Sequence, residues 1–160
     1  MNCNAPRNVP GNREACFSLA KKIPRNIWLQ CGGYAGWQVD VNHHEHLVSP
    51  DDRVRLDHLL EEISGPTFAH LSMTRYEEDS LTIYTNPSRA WPGYLRGPND
   101  SGLYLDDPAL GVNLEHFQCG CGISLDFPAS QTVSHAQAAE IARHFFAHGE
   151  LPASRGWFEA

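Results

Sequence analysis

The chain has 160 residues, 41% of them hydrophobic and 19% charged, with a formal net charge of -7. That length and balance suit one folded domain with its own core and argue against a disordered chain. No run approaches the roughly 18 apolar residues of a membrane-spanning helix, and an acidic surface is a poor partner for a nucleic-acid backbone, which is bound through Lys and Arg.

The charge is uneven. Residues 40–126 hold 15 acids against 5 bases, a net of -10, whereas residues 1–39 carry five bases and Glu14 alone as an acid. An acidic middle aids solubility and suits a basic protein partner, such as one that itself binds nucleic acid. The opening stretch MNCNAPRNVPGNREACF has no apolar segment of a secretory signal, so a cytoplasmic location is expected. The five cysteines, Cys3, Cys16, Cys31, Cys119 and Cys121, are an odd number and are expected as free thiols.

Residues 1–25 are rich in Asn, Pro and Arg and are expected to be loosely ordered at the start, with a short helix over 13–22 ended by Pro24. Strand composition follows over 27–30 and 37–41, around the glycines at 32, 33 and 36, and suggests a hairpin. The run Ser49-Pro50-Asp51-Asp52 is a helix start, with Ser49 as cap and Pro50 at the first helical position. Leu56, Leu59, Leu60 and Ile63 recur at helical spacing, and Gly65-Pro66 stops a helix predicted over 50–64.

Short strands are predicted over 67–76, 80–85, 90–95 and 103–105, with a last strand over 123–127. Glu77-Glu78-Asp79 reads as a charged turn, and Pro92-Gly93 as a bend within 90–95. Tight turns between short strands predict a mainly antiparallel sheet. The final helix, 134–148, is the clearest element. Ser134 and Gln137 form a capping-box pattern, Ala138, Ile141, Ala142 and Phe145 share one face, and Gly149 and Pro152 end the run.

Catalytic signatures are missing: no GxSxG, no Walker loop, no GxGxxG, and no HxE paired with PCxxC. His43-His44-Glu45-His46 lacks the HExxH spacing, and on an extended strand only His44 and His46 point the same way. Cys119-Gly120-Cys121-Gly122 is CxC, with only His116 nearby to extend a zinc set, and reads as a glycine-rich loop with two thiols. Trp91 differs from the other tryptophans. In Arg89-Ala90-Trp91-Pro92-Gly93-Tyr94, the Arg, Trp and Tyr side chains are of the types that anchor interfaces.

The C-terminal stretch VSHAQAAEIARHFFAHGELPASRGW carries a resemblance. A capped helix with Ser134, Gln137, Ala142, Phe145 and Phe146, followed by Pro152 and Trp157, resembles the ending of immunity proteins of bacterial polymorphic toxin systems. The group it resembles is often paired with nucleic-acid deaminase toxins. The order of elements over 56–84 matches weakly, and residues 1–48 fall outside the resemblance.

The resemblance implies a non-enzymatic, cytoplasmic inhibitor that binds one basic toxin domain in a 1:1 complex and occludes its active site. The expectations are therefore an α+β fold over a single domain, 1–160, with helices near 50–64 and 134–148 packed on a mostly antiparallel sheet. No catalytic residue, metal, cofactor, nucleic acid or membrane is expected. The expected partner surface is Glu77, Glu78, Asp79, Arg89, Trp91, Tyr94, Asp106 and Asp107, while Phe145 and Trp157 are assigned to structure. The rival expectation is a small metal-binding enzyme that uses the His43–His46 tract with Cys119 and Cys121.

Overall fold

The structure is a computed structural model and describes residues 36–75, 79–97, 99–119 and 121–160. The predicted helix over 13–22, the strand over 27–30, the glycines at 32 and 33, and Glu77 and Glu78 lie outside the described residues.

The architecture is α+β. Among the described residues, seven strands form one sheet in the order β2-β1-β3-β4-β5-β6-β9. They are β1 Trp37–Val41, β2 His44–Val48, β3 Ala69–Arg75, β4 Asp79–Thr85, β5 Ala90–Leu95, β6 Leu103–Leu105 and β9 Trp157–Glu159. Every pairing is antiparallel. A separate two-stranded ribbon joins β7 Leu114–Gln118 to β8 Ser124–Pro128. Among the described residues the α-helices are α1 Arg53–Ile63 and α2 His135–His148. No helix among the described residues is long and apolar enough to cross a membrane.

Alternation along the strands decides which face is covered. Val39 and Val41 sit opposite Met73 and Leu71, and these sit opposite Leu81 and Ile83. All six are buried. The two helices cover this face with residues at helical spacing: Leu56, Leu59, Leu60 and Ile63 from α1, and Ala138, Ile141, Ala142, Phe145 and Phe146 from α2. Trp37 meets Phe145 edge-on at 5.0 Å and stacks on Phe146 at 5.6 Å. Burying a side chain such as Phe145 contributes about 1.5–3 kcal/mol.

The opposite face carries Asp40, His70, Thr82, Tyr84, Trp91 and Gly93. The β7–β8 ribbon lies against part of it: Phe127 stacks on Trp91 at 3.9 Å between ring centres, and Phe117 is fully buried beside Phe127.

The helix ends follow their local chemistry. Ser134 and Gln137 form a reciprocal capping box, and Gly149 ends α2 in the left-handed region at φ 71°. For α1 the cap is Asp52, which accepts from the Arg55 N–H, and not Ser49. Ser49 instead opens a turn, its carbonyl accepting from the Asp52 N–H at 2.9 Å. Both residues suit a cap, and the side chain nearer the first apolar turn takes it.

Two readings of the strands need correction. Pro92-Gly93 does not bend β5, which stays paired from Ser80↔Leu95 to Thr85↔Ala90. Ala90 exchanges both backbone hydrogen bonds with Val133, and β6 first pairs at Gly93 and Tyr94. By alternation the missing Pro92 donor faces the gap between them, where no ladder bond is lost. The strand over 123–127 is not the last. β2, β7 and β9 were not predicted, because His-Glu-His-Leu-Val, Leu-Glu-His-Phe-Gln and Trp-Phe-Glu are too short and mixed in character to stand out, and the hairpin partner of β1 is β2.

Candidate functional site

The predicted partner residues do not form one surface. Trp91 and Tyr94 are three apart on β5 and so point to opposite faces, with exposures of only 7% and 9%. Trp91 lies under Phe127, while Tyr94 packs edge-on against Phe145 at 5.6 Å. Arg89 donates to the Thr132 hydroxyl and, at 3.3 Å, to the Thr132 carbonyl. The expected Arg89–Trp91–Tyr94 anchor patch is therefore replaced by two packing contacts and the hydrogen bonds of Arg89 to Thr132. Burial first, and then the nearby Asp79 carboxylate, push the Tyr94 phenol up to about 12.

Asp106 and Asp107 are different. They are exposed at the end of β6, and among the described residues no cation pairs with either. The Asp107 carboxylate accepts from the Ala109 N–H at 3.1 Å and caps one 3-10 turn, Pro108–Leu110. Just beyond, Leu110, Val112 and Leu114 are 37%, 84% and 68% exposed. A carboxylate pair thus adjoins three aliphatic side chains that the fold leaves in water.

A second cluster forms where two hairpins meet. The β1–β2 turn is Asn42-His43, with both residues at positive φ, 50° and 69°, as a two-residue hairpin turn of matching twist requires. Asn42 grips the backbone of His70 in β3. Its N–H donates to the His70 carbonyl at 3.1 Å and its side-chain oxygen accepts from the His70 N–H at 2.9 Å. One Asp40 oxygen then accepts from the His43 N–H and lies 3.0 Å from His70 Nε2. The rings of His43 and His70 are 4.7 Å apart. The His70 hydrogen bond holds the Asp40 carboxyl below its ordinary value of 3.8, against burial, and the His43 N–H adds to the effect.

From the other side comes the turn of the β7–β8 ribbon. It is closed by Cys119 N–H donating to the Ile123 carbonyl and Gly122 N–H donating to the Cys119 carbonyl. Cys119 and Cys121 are joined as a disulfide, so these two are not the free thiols expected. A ring nitrogen of His43 and both sulfurs lie within 4.8 Å of one another, and so do donor atoms of Asp40, His43 and His70. His43 belongs to both triads.

The cluster differs from the sequence reading. His44 and His46 share a side of edge strand β2, but neither joins it; His46 Nδ1 instead meets Arg55 at 3.0 Å. His116 pairs with Asp126 at 2.9 Å and stays apart from the sulfurs. Asp40 and His70 gave no signal in the sequence, since each is one of several alternating polar residues on the outer side of its strand. Only the β1–β3 register, which sets Val41 beside Leu71, makes them neighbours.

A scan of the sequence against protein-family models finds no match, and a search of curated proteins finds none either.

Proposed function

We propose that this chain is an immunity protein that binds one toxin domain and blocks its active site, the toxin being a nucleic-acid-acting enzyme of the deaminase class. The observation that carries the reading is the strip from Asp106 to Leu114, where two carboxylates with no cation partner among the described residues precede three exposed aliphatic side chains. An apolar centre with a charged rim is how protein interfaces are built. A toxin that acts on nucleic acid presents a basic groove. Carboxylates set against that groove speed encounter and exclude the substrate phosphates.

The C-terminal resemblance supports the same reading. Ser134, Gln137, Ala142, Phe145, Phe146, Pro152 and Trp157 are the residues that carry it. The net charge of -10 over 40–126 supports a basic partner. With Trp91 and Tyr94 inside the fold, contact rests on Asp106, Asp107 and the neighbouring aliphatic side chains.

The test is co-expression with the toxin domain encoded beside this gene. A 1:1 complex by light scattering and loss of toxin activity in a purified assay are expected. Two separate species at micromolar concentration, with the toxin fully active, overturn the proposal.

A further inference from the structure

The His43 cluster joins two hairpin turns that lie more than 70 residues apart in the chain. One turn supplies an imidazole, the other two sulfurs. A third element, β3, supplies a second imidazole. His70 is 7% exposed, and its Nδ1 is buried with no hydrogen-bond partner among the described residues, while Nε2 is committed to Asp40. A carboxylate on Nε2 places the proton there and leaves a lone pair on Nδ1 of the neutral ring. A buried lone pair on a carboxylate-oriented histidine is how a metal-ligating imidazole is presented.

We propose that, once the Cys119–Cys121 bridge is reduced, His43, His70, Cys119 and Cys121 hold one divalent zinc-class ion, with Asp40 orienting His70. Two thiolates and two imidazoles are the donor set of closed, four-coordinate zinc sites, and soft sulfur donors select against magnesium and calcium. Bond lengths of about 2.0–2.3 Å bring ligand atoms within about 4 Å of one another. His43 and the two sulfurs already lie within 4.8 Å; His70 lies in the adjoining triad with His43 and Asp40, outside the sulfur triad, so the set closes when the reduced β7–β8 turn shifts toward it.

The bridge and the ion exclude each other, because the thiolate, not the disulfide, is the ligand. Two equivalents of a small thiol, RSH, reduce the bridge and leave as RSSR, giving two cysteine thiols. The ion then displaces both thiol protons. Cys121 is exposed, so the bridge is open to attack by such a thiol. The two states differ in what they connect. The bridge joins residues two apart in one turn, whereas the ion ties that turn to the β1–β2 turn and to β3.

The test uses the full chain with Cys3, Cys16 and Cys31 replaced by serine, reduced with a phosphine and titrated anaerobically with cobalt(II). Expected are a thiolate-to-cobalt charge-transfer band and the strong visible bands of tetrahedral cobalt, saturating at one equivalent and lost when zinc is added. The oxidised protein shows neither. Asp40→Asn keeps the band and weakens affinity about 10–100-fold. His43→Ala weakens it by at least about tenfold. A folded, reduced protein that shows no band overturns the proposal, as does a band unchanged by Cys121→Ser or affinity unchanged by His43→Ala. Should the triple-serine chain fail to fold, the same comparison of Cys121→Ser with the unmodified chain decides.

Discussion

Trp91 and Phe127 stack almost parallel, 3.9 Å between ring centres and 8° between planes. The indole lies across Gly93, where any added Cβ would fall on its ring. Glycine at 93 is therefore what lets Trp91 lie flat, and Trp91 is what the β7–β8 ribbon sits on. Asn86 secures the same ribbon by donating to the His116 carbonyl at 3.0 Å. This contact fixes the ribbon, whose turn in turn sets the Cys119–Cys121 pair beside His43.

Removing the stack should loosen the ribbon before the sheet. Trp91→Ala is expected to cost about 3–5 kcal/mol, and Gly93→Val to destabilise by displacing the indole. Hydrogen exchange is the discriminating measurement: amides over 114–128 should lose protection well ahead of those in β3 and β4. Uniform loss across the sheet would show that the ribbon and the sheet open together.

The capping box of α2 can be weighed by itself. Ser134→Ala removes the acceptor for the Gln137 N–H and is expected to cost about 1 kcal/mol. Urea denaturation with an unchanged slope should report it. Asp52→Ala at α1 should cost a similar amount, and Ser49→Ala much less, because Ser49 does not cap.

Tyr94 should titrate late. Its phenol is raised from 10.0 to about 12 by burial and by Asp79, so its contribution to stability is complete below pH 10 and is lost as pH rises through about 12. An ultraviolet tyrosinate titration should show one residue lagging the others. In Tyr94→Phe that lagging step should vanish. A lagging step that persists would assign it to another tyrosine.

Asp100 governs the acid side. Two hydrogen bonds from the Arg96 side chain and one from its backbone hold this carboxyl down to about 2. A depressed carboxylate stabilises above its unfolded value near 3.8, and that contribution disappears as pH falls toward about 2. Asp100→Asn should therefore lower the thermal midpoint at neutral pH and flatten its dependence between those limits. Equal acid sensitivity in variant and parent would exclude the Arg96 pair as the cause.

The partner surface makes its own demand. Asp106→Lys with Asp107→Lys should slow association with a basic toxin domain and weaken its salt dependence, while the lost Asp107 cap costs about 1 kcal/mol of stability. Val112→Ala should speed dissociation, since Val112 is 84% exposed and stabilises nothing within the fold. Stopped-flow and surface-capture kinetics separate the two effects. Unaltered rates in both variants would remove the strip from the interface.

Both helices with their covered faces, and the strands β1, β3, β4, β5, β6 and β8, were legible in the sequence. The helical spacing of Leu56, Leu59, Leu60 and Ile63, the Ser134–Gln137 box and the left-handed stop at Gly149 are local chemistry, decided within a few residues. So was the antiparallel α+β architecture, because short strands between tight turns leave few alternatives. What Trp91, Tyr94 and Arg89 do was not legible, since residue type indicates an interface anchor and a core contact alike. Only the tertiary fold distinguishes them: the ribbon covers Trp91, Phe145 of α2 covers Tyr94, and Thr132 takes Arg89.

The same holds for the His tract and the CxC. Read along the chain, alternation favoured His44 and His46, and the cysteines stood alone. The fold instead selects His43, because a two-residue turn carries it off the strand's alternation, and brings it to Asp40, His70 and the sulfurs. Composition and spacing determined the elements, the helix ends and the acidic balance, all set by neighbours in sequence. Strand register and the docking of one hairpin on another decided which distant polar residues meet, because those contacts form only when the whole sheet is assembled.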